Sequence, residues 1–246
     1  MNRKVLCKLL PLLILLVNNC QAAVSLDRTR VIYSGNANSM SLAIRNNNKI
    51  LPYLAQAWLE DGNGNKINSP FTILPPIQRL EPEMESLVKI QSLPAVSKLP
   101  QDKESLFYFS LREVPPVSDK PNTLQLALQT RIKFFYRPES LVVEPGSNKS
   151  SWQEKLVLEQ VGGQYKLINP TPYYITIVAG TNIVNKERAE VFKPIMIAPF
   201  SGSMVNVGKV QQGQQLSFVY VDDYGGRHTL NYMCTKSCSL KPSKKM

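Results

Sequence analysis

The residues able to do chemistry in this chain are few. Its single histidine, His228, follows two adjacent carboxylates, Asp222 and Asp223, in the stretch DDYGGRH. A histidine near carboxylates is the raw material of general acid–base catalysis, but the spacing argues against that use. Neighbouring residues on a strand point to opposite faces, so the two aspartates would not converge on one atom. A histidine directly after a GGR turn reads as an exposed turn residue. No GxSxG, HExxH, P-loop or GxGxxG motif occurs in strand–helix context. The run DGNGNK lacks the acidic positions of a calcium loop. These residues indicate a binding protein and not an enzyme, with no cofactor and no metal.

The four cysteines divide into two pairs. Cys7 and Cys20 lie in MNRKVLCKLLPLLILLVNNCQAA, where Arg3, Lys4 and Lys8 precede an apolar run, Leu9 to Val17. That run has the length of a signal-peptide core and is too short to span a bilayer. We place cleavage after Ala22. A lipoprotein anchor on Cys20 is the rival reading, but two asparagines stand where small or apolar residues would be wanted. Cys234 and Cys238 remain, an even pair in an exported chain, so a disulfide is expected. A zinc site there would need two further ligands.

Removing residues 1–22 takes three basic and no acidic residues from the 29 and 18 of the chain, leaving a net charge of +8. Such a charge favours acidic partners or a negative surface by steering. The basic residues are scattered, apart from the tail Lys241, Lys244 and Lys245. With no basic stripe interleaved with aromatics, nucleic acid is not a predicted partner.

The elements that must position these residues are strands. VSLDRTRVIY, SLAIRN, LPYLAQAWLE, INSPFTILPP, SLVKIQSL and SLFYFSLREV are separated by turn residues such as SGNANS and DGNGNK. A second series begins at WQEKLVLEQ and continues through QYKLINPTPYYITIVAG, PIMIAPFSGSMVNV, QLSFVYVDDYGG and HTLNYMC. No segment keeps a helical apolar period for more than two turns, and the chain has 18 prolines. We predict an all-β chain of two β-sandwich domains, hinged near residues 137–146.

One strand raises a question of its own. In LQLALQTRIKFFYRP, Leu124, Leu126, Leu128, Thr130 and Ile132 fall on one face. Gln125, Ala127, Gln129, Arg131 and Lys133 fall on the other. The period of two predicts a strand with one buried face. The polar face turns basic toward the strand's end.

Taken together, AVSLDRTRVIY, LPYLAQAWLE, PPIQRLEP, SKLPQDKESLFYFSLREVPP, LALQTRIKFFYRP, INPTPYYITI and DDYGGR closely resemble the periplasmic pilus-assembly chaperones of the chaperone–usher type. The resemblance runs from residue 23 almost to the C-terminus. It implies two immunoglobulin-like domains, 23–141 and 142–246, set in an L or boomerang around a cleft. The implied function is to capture pilin subunits one to one in the periplasm and deliver them to an outer-membrane usher. A pilin lacks the last strand of its own sandwich, and the chaperone's G1 strand fills the open groove. The short, cysteine-free segment VPPVSDKPN resembles the branch of the family with a short loop before that strand.

The site residues implied by the resemblance can be named one by one. Leu124, Leu126 and Leu128 match the donor residues that enter the groove. Arg30 and Lys133 match the cleft pair that binds the subunit's terminal carboxylate, with Arg131 on the same face as Lys133. Glu104, Arg137 and Asp223 match an interdomain charge network. Pro52, Leu54, Gln56, Pro75 and Pro76 match an usher-facing patch, with a cis peptide before Pro75. The resemblance leaves open whether the free chaperone self-caps as a homodimer.

Overall fold

The computed structural model describes residues 23–119, 121–143, 151–182, 192–207, 213, 215–235 and 237–241. The predicted signal segment, the end of the expected hinge beyond residue 143, and the tail lysines Lys244 and Lys245 lie outside the described residues.

The strands of the first domain are β1 (Val24–Leu26), β2 (Arg30–Ser34), β3 (Ser39–Asn46), β4 (Tyr53–Glu60), β5 (Lys66–Ile67), β6 (Phe71–Leu74), β7 (Ile77–Leu80), β8 (Glu85–Ser92), β9 (Ser105–Val114) and β10 (Gln129–Arg137). One sheet runs β1-β3-β8-β6. The other runs β2-β10-β9-β4-β5, with β7 also on β4. Their facing sides bury alternate apolar residues, as the period of two requires. At the centre Phe71 touches Tyr33 and Phe134, with ring centroids 4.9 and 5.0 Å apart. Each such side chain contributes roughly 1.5–3 kcal/mol through burial.

VSLDRTRVIY, expected as one strand, is two strands in different sheets. β1 pairs antiparallel with β3, and the chain crosses at residues 27–29 so that β2 runs parallel to β10. The buried residues record the crossing. Val24 sits at an even position and Val31 and Tyr33 at odd ones, which a single strand cannot accommodate on one face. INSPFTILPP is likewise interrupted, with cis peptides at Ser69–Pro70 and Leu74–Pro75.

The second domain contains β11 (Val157–Val161), β12 (Gln164–Asn169), β13 (Ile175–Asn182), β14 (Ile195–Ile197), β15 (Ser201–Val205), β16 (Gln215–Val221), β17 (Arg227–Cys234) and β18 (Cys238–Leu240). The sheets are β11-β12-β15 and β14-β13-β16-β17-β18. A disulfide joins Cys234 to Cys238, which are register partners on β17 and β18. Among the described residues no cluster of His, Cys, Asp and Glu could hold a metal ion.

Each domain ties one corner with a fully buried asparagine. Asn46 donates its amide to the carbonyls of Leu51, Leu80 and Glu81 at 3.0–3.2 Å and accepts the Asn48 N–H. Asn169 donates to the carbonyls of Tyr173 and Ala198 and accepts from Thr171. A side-chain amide carries both donors and acceptors, so it can satisfy irregular backbone where no ladder runs.

Candidate functional site

Strand β10 organises the site. Its even residues Ile132, Phe134 and Tyr136 are buried in the first domain's core. The odd ones point away from that core, each toward a different partner. Arg131 donates from Nε to Glu60 at 2.6 Å and lies 3.4 Å over the Tyr108 ring. Glu60 also accepts from Trp58 Nε1 and Ser110 Oγ. Arg131 is thereby engaged and is not a spare cation beside Lys133. Phe135 meets Tyr174 of the second domain at 5.6 Å.

Lys133 sits directly beside Arg30, because the parallel pairing of β10 with β2 starts with those two residues. Lys133 Nζ donates to Thr176 Oγ1 at 3.0 Å. Arg30 Nη1 makes a 3.4 Å contact with the Val221 carbonyl, and among the described residues its buried Nε has no partner. Among the described residues neither cation forms an ion pair. Burial first, and then the neighbouring Arg30 charge, bring the Lys133 amine down to about 8. Burial also lowers Arg30 from its ordinary value, against the attraction of Asp223 and Asp222. Two desolvated cations with an unfilled N–H donor have the chemistry to accept an anion, and a guanidinium fork has the geometry that suits a planar carboxylate.

Further along β10, Arg137 joins the domains. Its Nε donates to Glu104 Oε1 at 2.8 Å, and its two terminal nitrogens take Asp223 at 2.7 and 3.0 Å. Glu104 is buried and also accepts the Tyr174 N–H at 2.7 Å. Burial pushes the Glu104 carboxyl up despite Arg137; burial also opposes the Arg137 charge, but Asp223 and Glu104 together outweigh it and raise its pKa. Trp152 and Tyr173, stacked at 4.5 Å, lie 4.9 and 5.0 Å from the guanidinium.

Asp223 is held in a turn and not on a strand, contrary to the sequence expectation for the Asp222–Asp223 pair. Asp222 closes the turn by accepting the N–H groups of Tyr224 and Gly226, and Gly225 supplies a φ of 89°. Their divergence stands: Asp223 faces Arg137, while Asp222 faces exposed His228 at 2.7 Å.

Upstream of β10 the expected strand is missing. Residues 123–128 are in no strand, and Leu124, Leu126 and Leu128 are 83, 66 and 43% exposed, not buried. The antiparallel register, which pairs Gln129 with Arg112 and leaves Leu128 O to the Glu113 N–H, explains this. Two rungs later it would set Leu126 and Gln125 against Pro115 and Pro116. Prolines have no N–H to donate, so the ladder with β9 ends there. On the other side, pairing with β2 begins only at Lys133. The segment therefore presents backbone and a leucine row with no neighbouring strand.

The remaining predicted residues form a separate surface. Leu54 and Gln56 on β4 pair with Arg79 and Ile77 on β7, and Pro76 O accepts the Ala57 N–H at 2.8 Å. Leu54, Pro75 and Pro76 are exposed, and Pro52 and Gln56 are half-buried. Exposed Leu74 and Ile77 extend this surface, and sequence reasoning missed them. It also missed Thr176 and Tyr174, which have no local motif.

Residues 23–142 match the family described as "Pili and flagellar-assembly chaperone, PapD N-terminal domain". Residues 151–232 match "Pili assembly chaperone PapD, C-terminal domain". The chain belongs to the pilus-assembly chaperone family. It is 46% identical to the chaperone protein PapD of Escherichia coli over 246 residues, 99% of each chain. With PmfD of Proteus mirabilis it shares 44% over 232 residues, 92% of this chain and 90% of that one. The solved periplasmic chaperone SfaE superposes with a TM-score of 0.67 at 30% identity, covering 85% of this chain and 98% of that one. Both domains are thus family members in sequence and in fold.

Proposed function

We propose that this chain is a non-enzymatic periplasmic chaperone that captures pilin subunits one to one and delivers them to an outer-membrane usher. The observation that carries the reading is the start of the parallel ladder at Lys133 and Arg30, directly downstream of an edge with no neighbour. A strand laid on that edge parallel to β10 would run in line with β2. Its last residue would then stop in front of Arg30, with its terminal carboxylate at the two cations. The anchor thereby fixes the register, which matters because a slip of one residue exchanges the faces of a strand.

The exposed leucines supply the second half of the interaction. A subunit lacking a strand has unpaired backbone and open apolar surface, both prone to aggregation. Leu124, Leu126 and Leu128 would fill that groove, each worth roughly 1.5–3 kcal/mol once buried. No nucleotide is needed to hold the complex, and tighter packing against the next subunit would drive release. The Glu104–Arg137–Asp223 network would set the angle of the cleft, and the surface of Pro52, Leu54, Gln56, Pro75 and Pro76 would face the usher. With its edge unoccupied, the free chaperone would self-cap as a homodimer.

Co-expression with a pilin in the periplasm tests this reading. A soluble one-to-one complex is expected, with the chaperone absent from purified fibres. Recovery of this chain as a stoichiometric pilus component would overturn it in favour of a surface subunit.

A further inference from the structure

The core-facing row of β9 ends in an unexpected group. Phe107, Phe109 and Leu111 are buried on that face, and the next residue of the row is Glu113, buried to 5% exposure. Its carboxylate accepts the Val24 N–H at 2.6 Å. Among the described residues it forms no ion pair with any Lys, Arg or His side chain. A buried carboxylate without a counter-charge is expensive.

We propose that the counter-charge is the α-ammonium created at Ala23 when the leader is removed, so that Glu113 is the receptor for the processed N-terminus. The Ala23 nitrogen lies one peptide unit from the Val24 N–H that already touches the carboxylate. Its residue is held from the other side as well, since Ala23 O accepts the Asn47 N–H at 2.6 Å and Val24 is the register partner of Asn46. In the unprocessed chain the same nitrogen is a neutral amide and offers no charge. Glu113 also donates its own N–H to Leu128 O, the last rung before the unpaired leucine segment. The new terminus thus latches β1 to the base of that segment. The inference rests on cleavage after Ala22 and is independent of pilin capture.

The exported full chain provides the test. Intact mass should show loss of residues 1–22. Only the uncharged amine acylates, so an ion pair that raises its pKa by one unit slows brief acetylation at pH 7 about tenfold. The comparison is a variant with Gly-Ser inserted between Ala22 and Ala23, read on the N-terminal peptide by mass spectrometry. Equal rates, or a mature chain that begins elsewhere, would overturn the proposal while leaving pilin binding as an independent readout. Denaturant unfolding adds a cycle of wild type, Glu113→Gln, the insertion and both. Each single change should lower the folding constant about tenfold, as expected for a charge-assisted hydrogen bond, and the double should lose little more. A full hundredfold loss in the double would show that the two groups act independently and would overturn the latch. The acetylation comparison needs only wild type and the insertion variant, so it decides the matter even if Glu113→Gln does not fold.

Discussion

Lys133 of the first domain donates to the hydroxyl of Thr176 in the second at 3.0 Å. The ammonium group is therefore held between domains by a neutral acceptor, with Arg30 as its nearest strand partner. A hydroxyl orients the charge without cancelling it, and burial, with the Arg30 charge beside it, leaves the amine at about 8. A carboxylate arriving in the cleft would supply the missing counter-charge.

Binding should consequently depend on pH. The carboxylate favours the ammonium form, so the bound-state pKa lies above the free-state value of about 8. Affinity is then complete below pH 8 and lost as pH rises, by at most about tenfold per unit from this one group. Fluorescence anisotropy with a peptide matching a pilin C-terminus, from pH 6.5 to 9.5, would show it. Lys133→Arg should flatten the profile; an unchanged slope in that variant would assign the titration elsewhere.

Removing either cation should abolish capture without unfolding the chaperone. Arg30→Ala and Lys133→Met take away desolvated charges and not core packing. The sign for Lys133 follows from its lowered folded-state pKa: at pH 7 the charged side chain opposes folding. That penalty fades between about 8 and the ordinary 10.5. Lys133→Met should therefore unfold at a denaturant concentration no lower than wild type at pH 7, with the difference gone near pH 10.5. Wild-type capture by either variant would refute the anchor.

Leu126→Glu should fold normally and fail to deliver pilin, because Leu126 is 66% exposed in the free chain. In a filled groove the new carboxylate would have to be desolvated, at a cost of several kcal/mol. Gln125→Glu, on the opposite face of the same segment, should largely preserve delivery. Equal losses in periplasmic co-expression would mean that the leucine row does not enter the subunit.

At the network between domains, the order of severity is set by burial. Arg137→Ala strands the buried Glu104 carboxylate and should cost about 3–5 kcal/mol in denaturant unfolding. Asp223→Asn keeps Arg137 paired with Glu104 and should cost far less. Similar losses for the two would show that Asp223, and not Glu104, is the essential partner.

Much of this was legible in the sequence, for definable reasons. Period-two patterning located most strands, and an even pair of cysteines in an exported chain suggested the Cys234–Cys238 link. The crossing inside VSLDRTRVIY was also written there, as the shift in parity between Val24 and Val31, but it was read as one strand. The leucine row was found; the period of two alone gave it a strand with a buried face, and the structure leaves it exposed and outside any strand. Pro115 and Pro116 end the ladder only in the register that pairs Gln129 with Arg112, and register is a tertiary fact. Arg131 shares a face with Lys133, but three aligned strands bring Glu60 to it. Thr176 was invisible, since a threonine 43 positions away joins Lys133 only when the domains meet.

In mechanical terms β10 is a cantilever. Residues 133–136 have strands on both sides, and the run ends in the clamp of Arg137 on both domains. Residues 129–132 are supported by β9 alone, Leu128 by one last bond to Glu113 of β9, and residues 123–127 pair with no strand among those described. Support from neighbouring strands therefore falls from Lys133 to Leu124. Under the proposed function, a beam supported in this way would hold one end of its load at Arg30 and Lys133 while the other bends, so that subunits with differently shaped grooves would share one anchor.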